Sequence, residues 1–313
     1  MKLACICLGS ILTLPAAAAP PGKVAALPDP CPAGGVARTT CRQVVVSCPN
    51  LKDLRAQIRI TEPDPDKPLR GTVVLGSGGN GAGFYAGTAL VQSLVRQLSD
   101  IGFLVVDRSW DGGWVTQEGG LKPQACRYAT LLTWVRDALH KGGKFVATGN
   151  SGGSAEIGYA LTTYGRGDIL DVAIPTSGPP VSRLDYVCAA QPSAVWSELC
   201  ARIVPAGAME CRPGCMLGPA NGVCRQVGPQ PAPAQLLEDS VVHPAAVLDY
   251  PKTRLIFLFG KLDCGEPVPA GLTWATRVVS SKLIHFVPNT PHALMSTAEG
   301  RDALVRAIDQ ATR

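Results

Sequence analysis

Apolar residues occur along the chain in short, nearly continuous runs that are separated by longer segments of mixed character. The runs lie at residues 70–76, 103–110, 144–149, 171–178, 253–260 and 281–288. A strand that is apolar throughout is buried on both faces, which is typical of parallel strands connected by helices. The pattern predicts an α/β fold: a mostly parallel, twisted β-sheet with helices on both faces.

The segments between these runs show the three- and four-residue spacing of amphipathic helices. In the segment 88–102, the spacing is carried by Leu90, Val91, Leu94, Val95, Leu98 and Ile101, and Gly102 suits the C-terminal end. The same reasoning predicts helices over residues 126–143 and 154–164. A closing helix is predicted from Ser296, with Glu299 three residues further on as in a capping box.

Two parts of the chain depart from this alternation. Near the N-terminus, residues 41–48 and 54–63 indicate the two strands of an opening hairpin. Residues 181–250 contain five cysteines and many prolines, and they are too numerous for an ordinary connection. We interpret this segment as a disulfide-stapled cap inserted into a single domain at 39–313. A disordered linker is the alternative.

The N-terminal residues have the pattern of a secretory signal. Lys2 precedes an apolar stretch that ends in small residues, with cleavage expected after Ala17 or Ala18. A membrane-spanning helix needs about 20 apolar residues, and Pro15 closes this stretch earlier. We therefore expect a signal peptide at 1–18, a leader at 19–38, no membrane span, and a secreted or periplasmic protein. An N-terminal anchor that stays in place is the alternative.

Ten cysteines follow the predicted signal, and an even number in an exported chain indicates disulfide bonds. They are Cys31, Cys41, Cys48, Cys126, Cys188, Cys200, Cys211, Cys215, Cys224 and Cys264. Bridges are expected within the N-terminal cluster and within residues 188–224, although the pairing itself stays open. A thiolate metal site at Cys211, Cys215 and Cys224 is the alternative, but it lacks a CxxC motif and a nearby histidine. We therefore expect no metal.

Ser151 occupies the chain's only G-x-S-x-G pattern, which runs from Gly149 to Gly153. The bare pattern is weak evidence, because glycine and serine are common residues. Its context is more specific, since an apolar run ends directly before it and a helical segment begins directly after it. Such an arrangement holds a serine on a sharp, strained turn with its hydroxyl exposed. Ser151 is therefore the candidate nucleophile, and a small residue in a glycine-rich loop is the alternative.

A serine hydroxyl needs a base to accept its proton and an acid to orient that base. His292 follows the last predicted strand by a short loop and is the candidate base. Asp263 follows the strand at 253–260, on the same sheet edge, and is the candidate acid. Alternatives for the acid are Glu266 and Asp111. The other histidines have plainer expected roles: His285 is packed in a strand, His140 ends a helix, and His243 lies at the exit of the cap.

Acyl transfer also needs N–H donors aimed at the oxygen that becomes negative. The Gly152 N–H, directly after the serine, is one candidate. The glycine-rich loop after the strand at 70–76 offers Ser77, Gly78 and Gly79 for the second. Taken alone, this loop could be a phosphate cradle, but it lacks a GKS or GKT ending and the GxGxxG spacing. We therefore expect no nucleotide and no other cofactor.

Together, the strand order, the serine turn, the glycine-rich loop, Asp263 and His292 resemble the α/β-hydrolase superfamily, over about residues 40–313. This resemblance implies an eight-stranded sheet with Ser151 as nucleophile, His292 as general base and Asp263 as orienting acid. It also implies a variable cap, which residues 181–250 would supply.

Four aromatic side chains lie in loops that follow predicted strands and are candidates for substrate contact: Phe84, Tyr85, Trp110 and Trp114. Packing of the tryptophans beneath the cap is the alternative. The expected function is that of a secreted serine esterase acting on short-chain, aryl or polymeric esters. A secreted serine peptidase of the same fold and a non-catalytic hydrolase-like binding protein are the alternatives.

Charge adds little to this picture. The chain has 29 basic and 24 acidic residues, a formal net charge of +5, and no long run of lysine and arginine. Nucleic-acid and membrane-surface binding usually depend on such a run or patch. We therefore expect an ester as the partner molecule, no nucleic acid, and a monomer.

Overall fold

The computed structural model of the chain describes residues 22–116, 119–189, 194–204, 222–263 and 267–313. The predicted signal peptide lies outside these residues, and so do Cys211, Cys215, Cys264 and the alternative acid Glu266. The side chain of Cys200 is likewise outside the description.

A single sheet runs through the described part of the chain, and nine strands form it in the order β1-β2-β3-β5-β4-β6-β7-β8-β9. The strands are β1 (Lys23–Pro30), β2 (Thr39–Ser47), β3 (Leu54–Thr61), β4 (Gly71–Gly76), β5 (Phe103–Trp110), β6 (Lys144–Asn150), β7 (Val172–Thr176), β8 (Arg254–Gly260) and β9 (Lys282–Val287). The pairs β1–β2, β2–β3 and β3–β5 are antiparallel, and every later pair in this order is parallel. The α/β fold class predicted from the apolar runs is confirmed.

Helices cover both faces of this sheet. They are α1 (Ala89–Asp100), α2 (Leu121–Gln124), α3 (Cys126–Ala138), α4 (Gly152–Thr162), α5 (Leu184–Val187), α6 (Ala194–Ile203), α7 (Gly222–Val227), α8 (Pro233–Glu238), α9 (Pro267–Arg277) and α10 (Ala298–Ala311). Successive strand residues point to opposite faces, so Val74 of β4 joins one apolar layer while Val73 and Leu75 join the other. The first layer includes residues of α3, α4 and α9, and the second includes residues of α1 and α10.

Three local features differ from the sequence-based expectations. Strand β1 lies in the expected leader and pairs antiparallel with β2, so the described sheet has nine strands rather than eight. Helix α9 was not predicted, because prolines suggest a loop; Pro267 and Pro269 lie in its first turn, where the missing N–H costs little. The N-cap of α10 is Thr297 rather than Ser296, since the Thr297 hydroxyl accepts the Gly300 N–H at 3.1 Å.

Helices α5 to α8 lie within the predicted insertion. We call the described residues 181–189, 194–204 and 222–250 the cap segment. Its α6 packs against α9, where the buried Trp196 donates its indole N–H to the Thr273 hydroxyl at 3.1 Å. No helix in the described part of the chain is long and apolar enough to cross a membrane.

Three disulfide bonds join cysteines of the described residues: Cys31–Cys41, Cys48–Cys126 and Cys188–Cys224. The first and third fall within the two expected clusters. The second does not, because it leads from the end of β2 to the first residue of α3, 78 residues further along the chain. Strands β1 and β2 lie against α3, which brings these two cysteines together although they belong to distant parts of the sequence.

We expect the Cys48–Cys126 bridge to stabilise the protein more than the Cys31–Cys41 bridge. Chain entropy in the unfolded state predicts about 4.5 kcal/mol for the longer loop and about 3 kcal/mol for the shorter one. The measurement is denaturant unfolding of the Cys48→Ala/Cys126→Ala and Cys31→Ala/Cys41→Ala variants. Equal losses, or a larger loss from the shorter loop, would show that loop length does not set the contribution of these bridges.

Candidate active site

Ser151 lies on a sharp turn between β6, which ends at Asn150, and α4, which begins at Gly152. Its backbone has φ +51° and ψ −108°, a conformation that side-chain-bearing residues rarely adopt. The Ser151 N–H donates to the Thr176 carbonyl on β7 at 2.9 Å, which holds the turn against the neighbouring strand. The G-x-S-x-G pattern therefore corresponds to a strained strand-to-helix turn.

The two outer glycines of the pattern are required by close approach of the backbone. A Cβ at Gly149 would lie 2.7 Å from the Gly153 carbonyl carbon, and a Cβ at Gly153 would lie 2.6 Å from the Gly76 carbonyl oxygen. Real Cβ atoms essentially never come this close to backbone atoms. Any larger residue at either position would displace the turn or the end of β4.

Asp263 and His292 come together at the carboxyl edge of the sheet. Asp263 follows β8 and is fully buried, and His292 follows β9 with 41% of its side chain exposed. The Nδ1 atom of His292 lies at a hydrogen-bonding distance of 3.0 Å from Oδ2 of Asp263. The contact with Asp263 therefore uses Nδ1 and not the second ring nitrogen, Nε2. This is the arrangement in which a carboxylate fixes the ring orientation of a histidine.

The remaining candidates for base and acid lie elsewhere. His140 is paired with the Thr72 hydroxyl and His243 with the Thr163 hydroxyl, at 3.0 and 3.1 Å. His285 is exposed rather than packed, because β9 is the edge strand of the sheet. Asp111 is exposed at the end of β5, where its N–H donates to the Arg55 carbonyl.

Asn150 connects the serine turn to the histidine loop, and the sequence did not suggest this role. Its side-chain oxygen accepts the Thr176 hydroxyl at 3.1 Å and the Leu294 N–H at 3.3 Å. Leu294 is two residues after His292, so one side chain joins the two loops. A polar residue directly before the serine was the available signal, but its partner is 144 residues away along the chain.

The glycine-rich loop after β4 lies directly against the serine turn. A Cβ at Gly152 would meet the Gly79 carbonyl oxygen at 1.7 Å, which shows how closely the two backbones approach. Of the three predicted loop donors, Gly79 lines the cavity beside Ser151. Gly78 packs under Asn150 and Ser151, and the Ser77 hydroxyl donates to the Gly83 carbonyl at 2.7 Å. Asn80, which was not predicted, lines the same cavity.

A cavity of about 560 Å³ contains both Ser151 and His292 in its wall. The rest of its described wall is mainly apolar and consists of Gly79, Asn80, Trp114, Val115, Leu121, Gly152, Ala155, Pro180, Val181, Val187, Gly222, Val223, Gln226 and Pro267. Val187 and Val223 belong to the cap segment and are the neighbours of Cys188 and Cys224, which are bridged. The cap cystine thus lies directly behind one wall of the cavity.

Comparison with known proteins bears on the fold of the chain. No family model matches the chain, and no curated protein matches it in sequence. Solved structures do match. A bacterial heroin esterase shares 17% identity at a TM-score of 0.56, over 88% of this chain and 86% of that one. An esterase from Pyrobaculum calidifontis shares 16% at 0.57, over 89% and 85%. Est1E from Butyrivibrio proteoclasticus, also solved with ferulic acid bound, shares 13% at 0.51, over 86% and 98%.

The chain has the α/β-hydrolase fold. Within this fold, the parallel strands β4, β6, β8 and β9 all end at the edge that carries the serine turn, the glycine-rich loop, Asp263 and His292. Open α/β sheets hold their sites at the carboxyl ends of their strands, because the loops converge there. Among the described residues, no group of histidine, cysteine and carboxylate side chains is arranged to hold a metal ion.

Of the four aromatic candidates, Trp114 lines the cavity beside Ser151, whereas the other three lie outside its wall. Trp110 is 1% exposed and donates its indole N–H to Glu156 Oε1 at 2.7 Å. The Arg59 guanidinium covers the Phe84 ring at 3.8 Å, and Tyr85 packs against the layer beneath α1. An aromatic residue near the end of a strand can point into the core or into the cavity, and the sequence pattern does not distinguish these two orientations.

Asp107 on β5 holds the backbone a few residues after the glycine-rich loop. Its carboxylate accepts the N–H groups of Tyr85 and Ala86 at 3.0 and 2.9 Å. Burial raises the pKa of Asp107 to about 6, although these two hydrogen bonds oppose the shift. Burial likewise raises the pKa of Asp239 to about 6, where that carboxylate accepts the N–H groups of Leu121 and Lys122.

Strain at Ser151 predicts that a glycine there stabilises the fold more than an alanine does. Glycine adopts positive φ without a steric penalty, and such strain costs about 1 to 3 kcal/mol. The greater freedom of glycine in the unfolded chain offsets part of this gain. We expect Ser151→Gly to exceed Ser151→Ala by about 1 kcal/mol in free energy of unfolding, measured by denaturant titration. Equal values for the two variants would contradict the strain argument.

The raised pKa of Asp107 predicts a pH-dependent contribution to stability. A folded-state pKa of about 6 lies above the ordinary value of 3.8, so this contribution is fully present below pH 3.8 and is lost as pH rises through 6. Relative to Asp107→Asn, the wild-type free energy of unfolding should fall by up to about 3 kcal/mol between pH 4 and pH 7. Asp309→Asn is the control, because arginine neighbours lower the pKa of Asp309. A pH-independent difference for Asp107→Asn would contradict the assignment.

Proposed function

We propose that the protein is a serine hydrolase that cleaves carboxyl esters through an acyl-enzyme on Ser151. The observation that carries this proposal is the hydrogen-bonding distance between Asp263 and His292, with His292 and the strained Ser151 in the wall of one cavity. Solved neighbours of the same fold are esterases, which supports ester chemistry.

In the proposed reaction, His292 accepts the hydroxyl proton of Ser151 through Nε2 as the serine oxygen attacks the ester carbonyl. Asp263 accepts the Nδ1–H of the ring and stabilises the imidazolium that forms. The carbonyl oxygen becomes negative, and we assign its stabilisation to the N–H groups of Gly152, Gly79 and Asn80, three residues of the cavity wall. The imidazolium then gives its proton to the departing alcohol, leaving an acyl group on Ser151.

The second half of the reaction uses the same groups with water as the nucleophile. His292 takes a proton from water, the resulting hydroxide attacks the acyl carbonyl, and the proton passes to Ser151 as the acid is released. The described cavity wall is mostly apolar, which suits a neutral acyl or aryl group. Est1E was solved with ferulic acid, an aromatic acid of this kind. We further propose that the protein is secreted or periplasmic, as the cystines and the predicted signal suggest.

The test is hydrolysis of p-nitrophenyl esters from C2 to C12 by the wild type and by Ser151→Ala. We expect turnover by the wild type and none above background by Ser151→Ala, because the acyl acceptor is lost. Covalent labelling by a fluorophosphonate should require Ser151 in the same way. Turnover that survives in Ser151→Ala would overturn the proposal.

The two histidines of the C-terminal region provide a matched comparison. His292→Gln should reduce kcat by about 10³-fold or more, whereas His285→Gln, on the exposed edge strand, should leave kcat unchanged. Cleavage of aminoacyl p-nitroanilides without cleavage of esters would indicate a peptidase. Absence of turnover and of labelling together would indicate a binding protein.

A further inference from the structure

A buried ion pair lies beneath the proposed oxyanion site, and the reaction described above does not use it. Arg108 on β5 and Glu156 on α4 form this pair, and both side chains are fully buried. One guanidinium nitrogen of Arg108 contacts Glu156 Oε2, and the indole N–H of Trp110 donates to Oε1 at 2.7 Å. Both oxygens of the carboxylate are therefore occupied.

Stability alone does not explain such a pair. Removing two charges from water costs several kcal/mol per ion, and their attraction in the interior only partly offsets this cost. Burial accordingly lowers the pKa of Arg108 to about 10, which still leaves the side chain charged at neutral pH. Apolar residues of similar volume are often as stable as a buried ion pair or more so. A buried pair next to a functional loop is therefore a candidate for positioning that loop.

The pair has direct contacts with the glycine-rich loop. Nη1 of Arg108 donates to the Gly81 carbonyl at 3.3 Å, and the backbone N–H of Trp110 donates to the same carbonyl at 3.0 Å. The Gly81 N–H in turn donates to the Gly78 carbonyl at 3.1 Å, which closes the turn that contains Gly79 and Asn80. The position of this turn is thus linked to the guanidinium.

The guanidinium also fills the space under both ends of the loop. A Cβ at Gly81, which has φ +76°, would lie 2.6 Å from Arg108 Nη1. A Cβ at Gly76 would lie 3.0 Å from Nη2. Glu156 holds the guanidinium from the other side, and it belongs to the helix that begins directly after Ser151. One carboxylate therefore connects the helix of the nucleophile with the loop that faces it.

We propose that Arg108 and Glu156 are positioning residues that hold the loop at residues 76–81 in register with Ser151, so that its N–H groups meet the oxygen of the reacting carbonyl. This role rests on the proposed esterase function. Because that oxygen becomes negative only as the reaction proceeds, misplaced donors lower kcat and leave substrate binding largely unchanged.

The first test is Glu156→Gln, which keeps the shape of the side chain and removes its charge. We expect kcat on the best p-nitrophenyl ester to fall by about 10- to 100-fold with KM within about twofold. A trifluoromethyl ketone places a serine-bound oxyanion in the same position, so its inhibition constant should rise by a similar factor. Asp309→Asn is the control, since it also replaces a carboxylate that pairs with an arginine. Asp309 Oδ1 lies 2.6 Å from Nη1 of Arg70, a residue at the opposite end of β4 from the loop.

The second test is the double variant Arg108→Met/Glu156→Met, which removes both charges and leaves no unpaired ion. We expect its thermal midpoint to return to near the wild-type value while kcat stays reduced. A structural role alone predicts that kcat recovers together with stability, and that result would overturn the proposal. The double variant also keeps the test decisive if Glu156→Gln fails to fold.

The two proposals fail in different ways. Wild-type activity that depends on Ser151, together with an unchanged kcat in Glu156→Gln, would contradict the positioning role alone. A wild-type protein without Ser151-dependent turnover would contradict the esterase function, and with it the role of the loop as an oxyanion site.

Discussion

The close approach of three backbone segments around Ser151 is the constraint on which the site depends. The end of β4, the end of β6 and the first turn of α4 meet at Gly76, Gly149 and Gly153, and a Cβ at Gly149 or Gly153 would collide with the backbone of its neighbour. At this contact Ser151 has a strained conformation and the glycine-rich loop lies against Gly152. Ser151 and the loop are thus neighbours because the parallel strands β4 and β6 are adjacent in the sheet.

Buried polar side chains then hold each loop of this edge in place. Asp107 binds the backbone that follows the glycine-rich loop, Asn150 joins the serine turn to the histidine loop, and Asp263 holds His292. Each uses a carboxylate or amide oxygen that would be costly to bury without a partner. Polar groups in the core therefore serve the geometry of the edge, although the strands that carry them are stabilised mainly by apolar packing.

The cap segment completes the cavity from the outside. Its Val187 and Val223 lie in the cavity wall and are adjacent to the two cysteines of the third disulfide. Helix α6 of the cap segment packs on α9 through Trp196. This part of the apolar wall thus comes from two short helices, α5 and α7, whose ends are joined by the Cys188–Cys224 disulfide.

The sequence by itself predicted strands β2 to β9 and helices α1, α3, α4 and α10, because the periodicity of apolar residues is a local property of the chain. It also predicted the serine turn, and it predicted Asp263 and His292 as partners that the structure places 3.0 Å apart. Only the tertiary structure decided that Cys48 bonds to Cys126, that β1 extends the sheet, and that Trp114 rather than Trp110 lines the cavity. The tertiary structure alone likewise decided the contacts of Asn150 and Glu156. These outcomes depend on distances between residues far apart in the chain, which local patterns of polarity do not specify.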